Sequence, residues 1–557
     1  CLLSLAVVSG CDSILDKGPL DSFTNDNFWT GEGNISGYAN AFYEQFLGYG
    51  NGNGYGDFYF KTLSDDQAGM SFAKWTYPDN APSTSATWKN GWIEVRRANI
   101  MLENVPTVAS LDEATKNHWL GVARLMRAWQ YYHLVRMYGN LPWIDKALNI
   151  NDEGEIYGNR EDRDMVMDKV LEDLDFAVTN IKDISSKTTW SRSLANAMKA
   201  EVCLYEGTFR KYRKNEDGQQ APDATGAARY LTACKEACLA VMSKGYKLNT
   251  SYQGNYNSTD LSSNPEMILY KAYKEGLLMH STIDYTCSST QISGMSKNAF
   301  ESYLFKDGKP MALTSLNKSD EAPFQYGHLS LKAILAVRDK RLAQTIDTVL
   351  LYNGRGFTRF NTGMESTSST GYGVAKYDNE AIPEGFRSQS GKNYTHAPLF
   401  WLSVIYLNYA EACAELGNIT QDDLDKSINL LKDRAGLPHL NPIVGFSDPA
   451  NNHGVSDLIW EIRRERRCEL MFDNDNRYWD LIRWHQLDKL DTTKYPDIIL
   501  GANVANDMDG CEANKVGKYI DGSKDGSRIY DKKHYLYPIP TGQIALNPQL
   551  APNNPGW

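Results

Sequence analysis

The chain has 557 residues, of which 42% are hydrophobic and 23% charged, and a net charge of -11. This is the composition of a folded globular protein rather than a disordered one, and its length allows several domains or one large helical assembly. The acidic balance, with no basic stripe, argues against nucleic acid as a partner. With 33 Tyr and 13 Trp against 18 Phe, the aromatics favour rings that pair an apolar face with a polar edge. Such rings suit wet binding surfaces and sugars, although the seams of helix-pair repeats also use tyrosine.

In chain order, residues 1–10 (CLLSLAVVSG) carry no charge and read as the end of a signal peptide's apolar segment. Val8-Ser9-Gly10-Cys11 then resembles a bacterial lipobox, with Cys11 as the acylated residue. Burial at ~0.8 kcal/mol per CH₂ would make two or three acyl chains a stable anchor. A spanning helix needs roughly 20 apolar residues; none follows, so membrane contact is expected through the lipid alone. Leu47 to Asn90 opens with a Gly/Asn cluster (GYGNGNGYGDFYF) and continues in turn formers, so it is expected to be irregular.

Helical periodicity follows. Thr87 to Val105 places Trp88, Trp92, Val95 and Leu102 on one stripe, broken only by Asn99. Lys116 to Tyr138 repeats the pattern and stops at Gly139-Asn140-Leu141-Pro142. Further helices are expected at Asp164 to Ile181, Ser193 to Tyr212 and Ala224 to Lys244. Thr250 to Gly391 is irregular, with Met267 to Tyr273 (MILYKAY) as a candidate strand. Helices resume at Leu399 to Leu416, Asp422 to Ala435 and Val455 to Leu481. The expected fold is therefore mostly α: about eight helices in tetratricopeptide-like pairs, with long irregular loops and a few short strands. The seven cysteines after Cys11 are odd in number and widely spaced, with no CxxC or Cys/His cluster. Most are expected to be small core residues, and neither metal nor cofactor is called for.

Three stretches carry a resemblance. They are ARLMRAWQYYHLVRMYGNLPWI (Ala123 to Ile144), IWEIRRERRCELMFDNDNRYWDLIRW (Ile459 to Trp484) and YLYPIPTGQIALNPQLAPNNPGW (Tyr535 to Trp557). Together they closely resemble the SusD/RagB family of outer-membrane nutrient-uptake lipoproteins. The first matches its R-x-x-R-A-x-x-Y-x-x-L-x-x-x-Y-G-x-x-P helix through Arg124, Arg127, Ala128, Tyr131, Leu134, Tyr138, Gly139 and Pro142. The second matches its arginine-rich helix from Ile462 to Trp484, and the third its Pro-rich tail. On this basis residues 11–230 form the N-terminal part and 231–557 the C-terminal part, whose segment 250–391 is the variable loop region. The motifs read as structural: Glu461 with Arg464 and Arg466 with Glu469 stand three apart on a helix, and Arg483 and Trp484 are expected to dock it on the scaffold.

The resemblance implies a surface-exposed lipoprotein at the outer membrane. It would capture oligo- or polysaccharide and pass it to a SusC-like TonB-dependent transporter. Sugar binding needs aromatic faces flanked by groups for the hydroxyls. The loop bearing Asp65, Asp66, Trp75, Tyr77 and Asn80 is the foremost place for such a site, and Tyr270, Tyr273 and Tyr285 are further candidates. A peptide ligand is the alternative within the family. A surface glycoside hydrolase is a rival from another class, but Glu465 and Glu469 lack the second carboxylate at a defined separation that hydrolysis requires. The protein is therefore read as a binder, not an enzyme.

Overall fold

The computed structural model describes residues 28–60, 63–69, 80–287, 293–316, 331–354, 360, 366–505, 507–524 and 526–557. Among the described residues, six helices of nine or more residues build the first half: α1 (Glu32–Asn40), α2 (Ala86–Asn104), α3 (Glu113–Tyr138), α4 (Arg163–Asn180), α5 (Arg192–Tyr212) and α6 (Ala224–Met242). The starts of α2 to α6 are set by side chains that take up unpaired backbone N–H groups. Ser85 accepts from Trp88 at 3.2 Å, Asp112 from Thr115 at 2.7 Å and Ser191 from Leu194 at 3.2 Å. From α2 to α6 each helix packs on the next, as a tetratricopeptide-like scaffold requires. Gly91 permits the α2–α3 approach, since a Cβ there would lie 2.6 Å from Leu134 Cδ2.

Asn99, which interrupts the apolar stripe of α2, is fully buried. Its amide donates to the carbonyls of Ile144 and Lys146 at 3.0 and 3.1 Å and accepts from Arg127 at 3.0 Å. Arg127 also grips Asp173 of α4 with two bonds of 2.7 and 2.8 Å. The polar break in the stripe is thus the point where three segments are tied together.

The strands are few and short. β1 (Gln67–Ala68) pairs with β3 (Gly294–Met295), and β2 (Met267–Lys271) with β4 (Ala397–Trp401), both antiparallel. β5 (Leu500–Asn503), β6 (Lys515–Val516) and β7 (Tyr519–Asp521) form a sheet in the order β5-β7-β6. Within the irregular region, α7 (Thr282–Cys287) is a short helix. Then come α8 (Leu402–Glu415), α9 (Ile428–Ala435), α10 (Asp457–Glu469) and α11 (Asn476–Arg483). α8 packs on α6 and on α10, joining the two halves.

Three expected helices are modified. The one expected from Leu399 begins as strand β4 and turns helical at Leu402, because the segment pairs with β2. The one expected over Asp422 to Ala435 breaks at Ser427, whose backbone leaves the helical region. The one over Val455 to Leu481 breaks in the FDND run, where Phe472 and Asn474 take positive φ of 67° and 49°. There the Phe472 carbonyl accepts from the Tyr59 N–H at 2.9 Å and the Tyr377 hydroxyl at 3.0 Å, so tertiary bonds override helical continuity.

The C-terminal tail folds back on the end of α3. Tyr537 N–H donates to Met137 at 2.7 Å, and the Asn554 amide to the carbonyls of Tyr138 and Tyr537 at 3.0 and 2.6 Å. Gly139 ends α3 at φ +72°, with Leu536 of the tail packed over it. Of the sequence motifs, the first and third therefore interlock. Cys203, Cys234, Cys238, Cys287, Cys413, Cys468 and Cys511 are free and buried.

Candidate functional site

The arginine-rich helices hold a continuous network of ion pairs. Arg483 spans both oxygens of Glu411 at 2.5 and 2.8 Å, and the Trp484 indole donates to the same carboxylate at 2.7 Å. These two residues dock α11 on α8, as expected. Arg464 pairs with Glu461 at 3.0 Å. Arg466 instead meets Asp480 at 2.8 Å, and Glu469 takes Arg341 at 2.8 Å as well as Arg434. The expected Arg466–Glu469 pair is thus replaced by two partners from other segments. Glu465 accepts from Arg341 at 2.5 Å and lies 3.3 Å from Lys432. Burial pushes its carboxyl up, but Arg341 and Lys432 outweigh burial and hold it down to about 2. A carboxyl so firmly ionised is unsuited to general-acid work.

The same network reaches the loop expected to face ligand. Asp65 accepts two bonds from Arg477 at 2.6 and 2.7 Å, and Asp66 one from Arg467 at 2.8 Å. Both aspartates are buried, at 2% and 4% exposure. Burial raises the Asp65 carboxyl, yet Arg467 and Arg477 prevail and lower it overall; for Asp66 burial prevails and the shift is upward. Buried and paired in this way, Asp65 and Asp66 tie the loop to α10 and α11. Tyr273 is corrected likewise. It is 3% exposed, and its hydroxyl accepts from Tyr49 N–H at 3.0 Å and donates to Gly50 at 2.9 Å. Tyr270 is half-buried with its ring stacked on His396, centroids 5.4 Å apart. Asn80 is exposed ahead of α2. Trp75, Tyr77 and Cys11 lie outside the described residues.

Tyr285 stands differently. It projects from α7 and meets two residues that sequence reasoning passed over, Tyr55 and Phe60. Tyr55 is 60% exposed and stacks on Phe60 with centroids 4.6 Å apart and planes 19° from parallel. Tyr285 sets its ring edge-on to both, at 5.6 and 5.8 Å. The glycine cluster before Tyr55 is what makes this possible. Gly48, Gly50 and Gly52 adopt positive φ, a backbone open to glycine without steric penalty, and a Cβ on Gly56 would sit 2.1 Å from the Gly48 carbonyl. The tight loop is then fastened to the chain before α7: Gly52 N–H donates to Met279 at 2.8 Å, and Ser281 to Gly52 at 2.8 Å. The available signal was the run GYGDFYF itself, aromatics following closely on turn-forming glycines.

No group of His, Cys, Asp and Glu among the described residues forms a metal site, and no helix there is long and apolar enough to cross a membrane. The described residues thus form a stacked, tetratricopeptide-like helix-pair scaffold whose irregular loops present three partly exposed aromatic rings in mutual contact. A model of the SusD family matches residues 240–557, and one described as starch-binding, associating with outer membrane, matches residues 24–204. The chain belongs to the SusD family. It is 24% identical over 496 residues to SusD-like protein P38 of Formosa agariphila, spanning 86% of this chain and 90% of that one. A solved SusD-like carbohydrate binding protein from Bacteroides fragilis superposes with a TM-score of 0.70 at 20% identity, covering 94% of this chain and all of the other. A laminarin binding SusD-like protein superposes at 0.56, with 20% identity over 95% of this chain and all of the other.

Proposed function

We propose that this protein captures a glycan on the face carrying Tyr55, Phe60 and Tyr285 and hands it to a SusC-like TonB-dependent transporter, while an acyl anchor on Cys11 holds it at the outer membrane, facing outward. The exposed aromatic trio is the observation that carries the reading. Sugar rings offer apolar C–H faces that a tyrosine can cover, and several modest platforms engage a long chain together. Trp75, Tyr77 and Asn80 stay candidates for further ligand contacts on the strength of the sequence. The family description and the carbohydrate-binding relatives support a glycan over a peptide. Binding without turnover is favoured because the buried carboxylates Glu465 and Glu469 are committed to arginines.

Isothermal titration with a panel of oligosaccharides tests the reading. The double variant Tyr55→Ala/Tyr285→Ala should lose at least tenfold in affinity for whichever glycan the wild type binds, about 1.4 kcal/mol, with an unchanged melting temperature. Unchanged affinity in that variant would place the ligand elsewhere.

A further inference from the structure

Phe60 has a second neighbourhood. Beside it opens a groove of about 460 Å³ between α3, α5, α11 and the loop after α1. Its walls mix aromatic rings with polar side chains such as Gln45, Asn474 and Asn476. Trp129 and Phe400 meet at 5.8 Å with planes 63° apart, and Trp479 lines the opposite side. Its charges are unequal. Arg136 is the cation among the described lining residues, and its guanidinium is already engaged over two rings, 4.1 Å from the centroid of Trp479 and 4.6 Å from that of Tyr132. One of its nitrogens lies 2.5 Å from His133 Nδ1. Because arginine can only donate, that ring nitrogen accepts in this contact.

Among the described lining residues, three carboxylates, Asp57, Asp475 and Glu201, stand beside this guanidinium. Asp57 accepts from the Leu47 N–H at 3.1 Å. Glu201 makes no hydrogen bond or ion pair with any of the described residues, although burial raises its carboxyl and Arg136 lies close enough to oppose that. A partly buried carboxylate with no donor from the described residues is open to donors from a ligand. Sugar hydroxyls supply them, and the aromatic walls suit the ring's C–H faces. A carboxylate or sulfate on the sugar would meet the excess of negative charge in a site where water screens it poorly.

Building on the glycan-capture reading, we infer that this groove is a subsite for a neutral hexose unit and makes the protein select neutral glycans over uronate-bearing or sulfated ones. Glu201 is the specificity residue in this assignment, acting by hydrogen bonds to hydroxyls and by its charge. The groove continues the Tyr55–Phe60–Tyr285 face through Phe60, so one extended oligosaccharide reaches both.

The test is titration of the full chain with neutral gluco-, manno- and xylo-oligosaccharides and with oligogalacturonate and a sulfated oligosaccharide, at low and high salt. At least one neutral class should bind tenfold or more tightly than either anionic probe, with the gap narrowing as salt is raised. Glu201→Gln keeps shape and removes charge. It should weaken the neutral ligand several-fold and narrow the gap, with the melting temperature held. Anionic probes bound as tightly as neutral ones, or a Glu201→Gln protein with both affinities unchanged, would overturn the groove assignment while leaving glycan capture standing. Failure of every glycan to bind, with binding of a basic peptide instead, would overturn the capture reading itself.

Discussion

Glu465 offers the sharpest separation of scaffold from site. It is 2% exposed, on the most arginine-rich helix, and paired with Arg341 and Lys432. Its carboxyl is held at about 2 in the folded chain against an ordinary 4.5. That difference of about 2.5 units, at 1.36 kcal/mol each, corresponds to about 3 kcal/mol of stability. For a lowered carboxyl the stabilisation is fully present above the unfolded value and is lost as pH falls through the folded one. Glu465→Gln should therefore lower the melting temperature near pH 7 by about 3 °C, since a chain of this length unfolds with an entropy of roughly 1 kcal/mol/K. The deficit should shrink on acidification, with more than half of it gone by about pH 3. Thermal melts of wild type and variant across that range, with glycan titration at pH 7, make the assay. A deficit that does not change with pH would refute the electrostatic account. A large loss of affinity without a melting shift would give Glu465 the ligand role denied to it here.

Asp65→Asn should cost about 3–5 kcal/mol, because it leaves Arg477 and Arg467 buried with less than their countercharge; urea unfolding reads the loss, and unchanged stability with weakened glycan binding would return Asp65 to the ligand face. Gly139→Ala forces a Cβ onto backbone at φ +72° and to within 3.2 Å of Leu536, a strain of about 1–3 kcal/mol; calorimetry should show a lower melting temperature, and a value equal to wild type would deny the tail its dependence on that turn. Cys11→Ala should release the protein from the membrane fraction or leave an uncut precursor; normal processing with normal fractionation would remove the anchor.

The helices were legible because their cues are local. Gly139 announces a stop and the apolar stripes need only a neighbouring helix, whereas the caps Ser85, Asp112 and Ser191 were not singled out. The breaks were not legible. Phe472 leaves the helix for bonds to Tyr59 and Tyr377, partners far away in the chain. The same non-locality explains the site. Asp65 and Asp66 sit in a polar loop that reads as solvent-facing, yet Arg467 and Arg477 reach them from some 400 residues further on and bury them. Tyr270 on β2 stacks on His396 and Tyr273 beyond the strand is buried, whereas Tyr285 of α7 is partly exposed. Its platform partners Tyr55 and Phe60 are in a stretch whose glycines were visible but whose aromatics were not connected to it, because only folding brings residue 285 beside residues 55 and 60.

The most direct measurement is a crystal structure of the protein soaked with whichever oligosaccharide binds it in titration. The account predicts sugar density stacked within about 4 Å of the Tyr55 or Tyr285 ring, the contact distance of apolar atoms, and running past Phe60 toward Trp129 and Trp479. Ordered sugar confined to another face, with the rings of Tyr55, Phe60 and Tyr285 uncovered, would contradict it.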